Sequence, residues 1–316
     1  MTPATASTRT VVVALASNIG VAVAKIVAAL LTGSVAMLAE AWHAVADTGN
    51  QVLLLIAQRR SSRPRDGRHP FGYGREAYFW ALIASIGVFM AGAVFSLREG
   101  ITEILHPTGT SGFVIVYSVL AVSVVLDSVS LLRAVRQLRV EATNLRRDFL
   151  DQVMLTSDPT VRAVFAEDAA AIVGDVIAFV GVAIQQATGS TSAEAVAAIA
   201  IGLLLIGVGV ELARRNHDFL LGEQAPASVK GPVRAFIVGY PGVVSISELL
   251  VTFVGPRRVW VLARIDIADD LSGGDVEALV RAIESGLAAE SDYVSRVDVV
   301  PIGPSRLPAG PVAGRE

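Results

Sequence analysis

The chain of 316 residues is 53% hydrophobic and 17% charged, and its formal net charge is −3. Its mean hydropathy of +0.59 is too high for an ordinary soluble protein, and its charge gives no support for nucleic-acid binding. The sequence contains no cysteine and four histidines. Disulfides and thiolate metal sites are therefore excluded, and any metal site must use His, Asp, Glu or Asn side chains.

Six apolar runs predict membrane-spanning helices, because each is close to the length of about 20 residues that crosses the hydrocarbon core. They lie at 10–31, 34–57, 79–97, 113–132, 162–187 and 194–213. The first run has no clear cleavable-signal pattern, so we interpret it as a retained span. Residues 1–213 are therefore expected to form a six-helix transmembrane domain.

The basic residues in the connections predict an orientation. Arginines concentrate between spans two and three, between spans four and five, and after span six. The connections after spans one and five contain no Lys or Arg, and the connection after span three contains Arg98 alone. By the positive-inside rule, both termini and the basic loops are expected on the cytoplasmic side of a plasma (inner) membrane.

The pattern changes from helical spans to alternating elements after residue 213. Runs at 243–255, 259–267 and 297–302 are typical of β-strands, and 227–238 and about 272–289 of helices. Ser272 and Asp275 have the spacing of a capping box at the start of the second helix. We predict a cytosolic α+β domain of order α-β-β-α-β over 214–302, followed by a disordered tail at 303–316.

His43 and Asp47 are the most informative residues of the chain. They lie four residues apart in the second apolar run, so they project from one face of a helix. Ionisable side chains are costly inside a bilayer unless they pair, face water or bind an ion. Imidazole and carboxylate together suit zinc and neighbouring divalent metals. With Glu40 one turn earlier, the pattern favours a metal or proton role over a buried structural pair.

The fifth run contains three acids that are candidates to complete such a site. Asp168 is the favoured ligand, and the longer side chain of Glu167 could reach the same centre. Glu167 could alternatively be a charge at the membrane interface. Asp168 and Asp175 share a helical face but are separated by about 10 Å along the axis. Asp175 is therefore left outside the site, as a proton-relay or packing residue.

The other isolated polar residues of the spans are expected to have structural roles. Asp127 in the fourth run could line a polar path, but an ion pair with Lys25 of the first run is the favoured interpretation. Asn18 is expected to hydrogen-bond between helices. The remaining histidines lie outside the spans and are interpreted as surface residues: His69, His106 and His217.

The chain resembles the cation diffusion facilitator family of divalent-metal transporters. The resemblance covers nearly the whole chain and rests on three groups of residues. These are Asn18, Lys25 and Thr32-Gly33-Ser34 in span one, the His43-xxx-Asp47 motif, and the loop His69-Pro70-Phe71-Gly72-Tyr73-Gly74-Arg75-Glu76. Asp47-Thr48-Gly49-Asn50-Gln51 is similar to one branch of the family.

The resemblance implies a transport site with two residues on span two and two on span five. It also implies exchange of Zn²⁺ or a related ion for protons, homodimers, and a ferredoxin-like cytosolic domain. Two departures are evident. Val164 stands where the family usually has His or Asp, so Glu167 is the substitute ligand in a harder set that admits Fe²⁺, Mn²⁺ or Co²⁺. The cytosolic domain has no Cys and no His after His217, which argues against regulatory metal sites there.

We therefore predict a secondary antiporter that exports divalent metal, with His43, Asp47, Asp168 and Glu167 as ligands. The metal is the transported substrate, and no prosthetic group or enzymatic activity is expected. No G-x-x-x-x-G-K-[ST] phosphate loop occurs, so an ion gradient must supply the energy. One alternative is a membrane-anchored metal-binding or assembly protein without transport turnover. Another is an intramembrane metallohydrolase, although the H-E-x-x-H motif is absent.

Overall fold

The computed structural model describes residues 3–144, 148–290 and 293–302. The chain divides into two compact units at Leu221 and Gly222. The first unit is helical, and its elements are α1 Pro3–Thr32, α2 Val35–Ser61, α3 Glu76–Ala84, a π-helical turn Ser85–Phe89, α4 Met90–Leu105, α5 Phe113–Asn144, α6 Phe149–Leu155, α7 Pro159–Thr188 and α8 Ser192–Leu221.

Three helices are both long and apolar enough to cross a membrane, within the part of the chain that the structure describes. They are Glu76–Leu105, which is α3 to α4 through the π-helical turn, Phe113–Thr143 and Ser192–Leu221. Asn18–Thr32 is a shorter apolar segment. The helices α2 and α7 are of similar length, 27 and 30 residues, but the predicted site residues interrupt their apolar sequence. The chain is a membrane protein with a helical membrane unit, and the count of six spans stays a prediction.

Several helices extend beyond the predicted apolar runs. The predicted third span, 79–97, is the middle of a helix from Glu76 to Leu105, and the predicted fourth span, 113–132, continues to Asn144. At about 1.5 Å per residue, α5 is about 48 Å long, more than the hydrocarbon thickness. Arg133, Arg136 and Arg139 therefore lie on a helix and not in a loop; Arg146 and Arg147 lie outside the described residues.

Close contact between α4 and α8 depends on small residues. A Cβ on Gly100 would stand 2.8 Å from the Ala195 carbonyl oxygen, and one on Gly202 would stand 2.8 Å from Leu97 Cγ. Glycines therefore allow the two backbones to approach. Elsewhere on the helical unit, large apolar side chains are exposed, such as Val114 and Val125 of α5. Exposed apolar surface of this extent fits a lipid environment.

One buried carboxylate ties three connections together at an end of the bundle. Glu194, at the start of α8, accepts hydrogen bonds from Ser34 Oγ (2.6 Å) and Thr110 Oγ1 (2.5 Å). It also accepts a bond from the Ala36 backbone N–H. Ser34 in turn caps α2 by accepting from the Met37 N–H. The connections at this end are therefore fixed by polar contacts.

The second unit has the predicted order of elements. It contains α9 Ala227–Val238, β1 Val243–Gly255, β2 Arg258–Ile267, α10 Gly273–Glu290 and β3 Val294–Ile302. The strand order is β1-β2-β3, with β1 and β2 antiparallel and β2 and β3 parallel. Its core includes Val261 and Ile265 of the sheet with Ile237 and Ile283 of the two helices.

The predicted capping box of α10 is confirmed. The Asp275 N–H donates to Ser272 Oγ, and the Ser272 N–H donates to Asp275 Oδ2 at 3.1 Å. Strand β3 begins three residues earlier than predicted, and α8 continues eight residues past the predicted domain boundary at 213. The predicted disordered tail, 303–316, lies outside the described residues.

Candidate metal site in the helical unit

The α2 helix places His43 inside the bundle between two carboxylates. The imidazole is 1% exposed. Its Nε2 lies 3.6 Å from Asp47 Oδ2, one turn later, and its Nδ1 lies 3.7 Å from Glu40 Oε1, one turn earlier. The predicted sharing of one helical face is thus confirmed, and the ring lies between its two acidic neighbours.

The α7 helix brings its acids to the same region of the bundle. Glu167 and Asp168 are buried, and both interact electrostatically with Asp47. Asp175 is buried two turns further along α7, next to Glu40. The structure therefore brings Asp47, Glu167 and Asp168 together and separates Asp175 from them, as the helical spacing predicted.

Glu167 has a partner that the sequence analysis did not identify. The Asn50 side-chain amide donates a hydrogen bond to Glu167 Oε1. Asn50 lies one turn after Asp47, so His43, Asp47 and Asn50 follow one stripe of α2. The signal that could have revealed it is the recurrence of polar residues at i, i+4 and i+7 in an apolar helix.

Lys25 of α1 is paired differently from the prediction. Its Nζ lies 2.6 Å from Asp175 Oδ1 and 2.7 Å from Glu40 Oε2, and all three side chains are buried. The favoured Lys25–Asp127 ion pair is therefore wrong. A buried ammonium needs more than one acceptor to offset its desolvation. Two acids on adjacent helices provide that, whereas a single carboxylate on α5 would not.

Asp127 lies on the other side of the site, on α5. Its Oδ2 accepts a hydrogen bond from Ser123 Oγ at 3.1 Å. It interacts electrostatically with Asp47 and Asp168, and Ser130 hydrogen-bonds to Asp168. The α5 helix thus contributes an acid and two hydroxyls to the region that the sequence had assigned to α2 and α7 alone.

Several polar atoms of this region are buried without a hydrogen-bond partner in the described residues. They are both ring nitrogens of His43, Asp47 Oδ1 and Asp168 Oδ2. Such atoms are rare in folded proteins and costly. No three His, Asp or Glu side chains of the described residues already surround a single point. The region is thus a set of neighbouring donors with free lone pairs, not a closed coordination sphere.

The arginine-rich connection between α2 and α3 has its own polar centre. Exposed Asp66 accepts hydrogen bonds from the Tyr73 hydroxyl (2.7 Å) and the backbone N–H groups of Arg68 and His69. The Tyr73 bond, followed by the His69 N–H, lowers the pKa of Asp66 to about 2. His69 Nδ1 lies 3.3 Å from Asp66 Oδ1 on the exposed surface, in agreement with its interpretation as a surface residue.

The cation efflux transmembrane domain matches this chain over residues 11–221. A buried imidazole among acids, in helices long enough to cross a membrane, is what a domain that moves cations requires. The chain belongs to the cation efflux family, the cation diffusion facilitators, as its motifs had indicated. The matched region begins within α1 and ends with α8, so it covers nearly the whole helical unit.

Relatives with this domain include two described as "proton-coupled zinc antiporter SLC30A9, mitochondrial". The Xenopus laevis protein is 32% identical over 242 residues and the Homo sapiens protein 31%; each match covers 77% of this chain and 43% of the relative. "Metal tolerance protein C4" of Arabidopsis thaliana is 29% identical over 230 residues, 73% of this chain and 50% of that protein. The chain thus spans half or less of the length of these relatives.

Proposed function

We propose that the protein is a secondary transporter that exports divalent transition-metal cations, with Zn²⁺ as the first candidate, in exchange for protons. The observation that carries this proposal is the group of buried acids beside His43. Asp47, Asp127, Glu167 and Asp168 form no salt bridge with Lys or Arg in the described residues. Several uncompensated carboxylates in a membrane helix bundle attract a cation. The names of the antiporter relatives agree with this proposal.

The cargo ion is held in this proposal by His43, Asp47 and Asp168, with Glu167 as the fourth ligand. His43 Nε2 and Asp47 already face each other at 3.6 Å. Asn50 holds Glu167 through Oε1, so the ion binds the other carboxylate oxygen of Glu167 or displaces the amide. Protons compete with the metal for the same lone pairs, so protonation of the ligands releases the ion.

The ligand set also bears on which metal is carried. One imidazole and three carboxylates are harder than the nitrogen-rich sets that zinc favours. The proposal therefore includes Fe²⁺, Mn²⁺ and Co²⁺ as cargo. Asp127 adds a further carboxylate within electrostatic range, which strengthens the attraction for a divalent ion.

The membrane arrangement that we propose has six spans, with both termini and the arginine-rich connections on the cytoplasmic side of a plasma (inner) membrane. The support is the charge distribution of the connections and the length of α2 and α7, 27 and 30 residues. We also propose that the second unit is ferredoxin-like and that the protein works as a homodimer. The α-β-β-α-β order supports the former, and the family resemblance supports the latter.

A flux assay with the full chain in proteoliposomes tests this function. Zn²⁺, Fe²⁺, Mn²⁺ and Co²⁺ are supplied outside, with an internal metal indicator and an internal pH dye. We expect metal entry to be accompanied by proton exit, and both movements to be lost in His43→Ala and Asp47→Ala. Metal flux without proton counter-movement would contradict antiport. Normal flux in both variants would contradict the site.

One observation favours the alternative of a metal-binding protein without turnover. Two of the five buried acids of α2 and α7, Glu40 and Asp175, are already paired with Lys25, as in a purely structural network. The same vesicles distinguish the two functions. A non-transporting protein would bind Zn²⁺ with dependence on His43 but would leave the interior free of metal.

A further inference from the structure

Glu40 lies between a fixed cation and the imidazole of the proposed site. Its Oε2 is bound by Lys25 Nζ at 2.7 Å, and its Oε1 faces His43 Nδ1 at 3.7 Å. Lys25 is itself bound by Asp175 at 2.6 Å. A chain of contacts therefore runs from Asp175 through Lys25 and Glu40 to the ring nitrogen that points away from Asp47.

Gly174 of α7 provides the space for this arrangement. A Cβ built at Gly174 would stand 2.2 Å from Glu40 Oε1, 3.2 Å from Glu40 Cδ and 3.4 Å from His43 Nδ1. Any side chain at this position would displace the carboxylate from the ring. The α7 helix thus contributes both an acceptor for Lys25, through Asp175, and the adjacent gap that Glu40 fills.

The chemistry of a ligating histidine explains why such a contact matters. A neutral imidazole binds metal through one nitrogen while the other carries the proton, and the partner of that N–H decides which nitrogen is free. Histidine ligands in proteins commonly donate this N–H to a carboxylate, which fixes the tautomer and the ring orientation. Here the carboxylate of Glu40 faces Nδ1, and Nε2 faces Asp47.

We propose that Glu40, held in place by Lys25 and Asp175, is a positioning residue for His43. Neither Glu40 Oε1 nor His43 Nδ1 has a hydrogen-bond partner in the described residues. A small movement that shortens their 3.7 Å separation to hydrogen-bond distance lets Glu40 accept the Nδ1–H of the ring and presents the Nε2 lone pair to the ion. The inference rests on the proposed function, because it assigns how one ligand of that site is oriented. It also gives Lys25, Asp175 and Gly174 a role in metal affinity although none of them binds the metal.

The lysine explains why Glu40 positions the ring and does not bind the ion. An ammonium 2.7 Å from Oε2 occupies the cation-binding side of the carboxylate. In this structure the ammonium, itself held by Asp175, fixes the orientation of the Glu40 carboxylate. Asp47, by contrast, has no Lys or Arg in salt-bridge contact within the described residues; its Oδ2 faces His43 Nε2 at 3.6 Å, and it remains available to the metal.

The test is a set of Zn²⁺ affinities for the full chain in detergent, measured by competition with a chelator of known affinity. Glu40→Leu leaves Lys25 paired with Asp175, and we expect it to weaken Zn²⁺ binding about 10- to 100-fold. Gly174→Ala changes no charge and favours the helix, and we expect a loss in the same direction. Glu40→Gln should recover part of the affinity, because its amide oxygen can accept the Nδ1–H.

A double-mutant cycle with His43→Ala separates positioning from a general effect of charge or folding. If Glu40 acts through the ring, Glu40→Leu has no further effect on Zn²⁺ affinity once His43 is absent. Additive losses would overturn the proposal. Glu103→Gln, another buried carboxylate that binds Thr108, is the matched control and should bind Zn²⁺ like the wild type.

The outcomes also separate this inference from the proposed function. Wild-type affinity in Glu40→Leu and Gly174→Ala, together with weak binding in His43→Ala, would overturn the positioning role and leave the transport site intact. Wild-type affinity in His43→Ala would overturn both, because Glu40 would then have no ligand to position.

Discussion

Two groups of acids on the same helices differ in what neutralises them. Glu40 of α2 and Asp175 of α7 share the ammonium of Lys25 at 2.7 and 2.6 Å. Asp47 of α2 and Glu167 and Asp168 of α7 have no Lys or Arg in salt-bridge contact within the described residues. About two turns of helix on each of α2 and α7 separate the compensated group, Glu40 and Asp175, from the uncompensated group, Asp47, Glu167 and Asp168.

This difference shows how a membrane bundle can hold many carboxylates and still reserve a few for a mobile ion. A tethered lysine fixes the first group permanently, because separating buried opposite charges is costly. The second group keeps unsatisfied oxygens, such as Asp47 Oδ1 and Asp168 Oδ2. In the proposed function, a cation from solution satisfies those oxygens.

Removal of the lysine is expected to give the largest effect on stability. Lys25→Met leaves Glu40 and Asp175 buried without a cation, and we expect a destabilisation of about 3–5 kcal/mol. Thermal unfolding of the purified protein in detergent measures it. Lys230→Met, at the other lysine of the sequence, is the control and should stay within about 0.5 kcal/mol. Equal unfolding temperatures for the two variants would contradict the importance of the compensated group.

Stabilisation of the protein by metal is expected to depend on the uncompensated acids, such as Asp47 and Asp168. Zn²⁺ at about 100 times its dissociation constant should stabilise the wild-type protein by about 2.7 kcal/mol. Asp47→Asn and Asp168→Asn should lose this increase, and chelator should abolish it in the wild type. The readout is the unfolding temperature with and without Zn²⁺. If Zn²⁺ raised the unfolding temperature of Asp168→Asn as much as that of the wild type, Asp168 of α7 would not be a ligand.

The fourth ligand is decided by comparing the two remaining acids of α7. We expect Glu167→Ala to weaken Zn²⁺ binding by at least about tenfold, which is about 1.4 kcal/mol, through direct loss of a ligand. Asp175→Ala should act through His43 alone and have no effect in a His43→Ala background. Competition titration measures both. A direct effect of Asp175 that survives in that background would exchange the two roles.

The smallest expected effect is on the pH dependence of stability, through the exposed Asp66 in the connection between α2 and α3. Hydrogen bonds from Tyr73 and the His69 N–H lower the pKa of Asp66 to about 2. The bond to Asp66 also raises the pKa of the Tyr73 hydroxyl above its usual value of 10.0. Because the acid's pKa is lowered, its contribution to stability is present above the ordinary value of 3.8 and is lost as the pH falls toward about 2.

The raised pKa of Tyr73 sets the upper pH limit for the stability that its hydrogen bond to Asp66 contributes. The contribution of the Tyr73–Asp66 bond is complete below pH 10.0 and is lost as the pH rises through the raised value. We expect Asp66→Asn to return the Tyr73 pKa toward 10. The difference between the ultraviolet titrations of the parent protein and of its Tyr73→Phe form isolates this group. No change in the Tyr73 titration would contradict the bond.

The sequence predicted which helices and strands are present better than it predicted where they end. The helix at Ala227–Val238 and the strand at Val243–Gly255 have the predicted bounds, because proline, glycine and strand periodicity mark their ends. The helices α5 and α8 continue past the predicted spans 113–132 and 194–213, since hydropathy marks only where the apolar sequence stops. A helix continues into polar sequence as long as its backbone hydrogen bonds are favourable.

Within the candidate site, the sequence predicted the residues that share a helix, but it missed the contacts of Lys25 and Asn50 with other helices. The 3.6-residue period places His43 beside Asp47 without any knowledge of the fold. The same period says nothing about how α1 is rotated against α2 and α7. For that reason Lys25 was assigned to Asp127, and Asn50 was not recognised as the partner of Glu167.

The sequence by itself determined that the protein belongs to the membrane and that an imidazole and several carboxylates are buried there. Apolar length and helical spacing are local properties of the chain, and they suffice for both conclusions. Only the tertiary structure decided which carboxylates are already neutralised. That depends on helix rotation and on the absence of a side chain at Gly174, which lets Glu40 lie between Lys25 and His43.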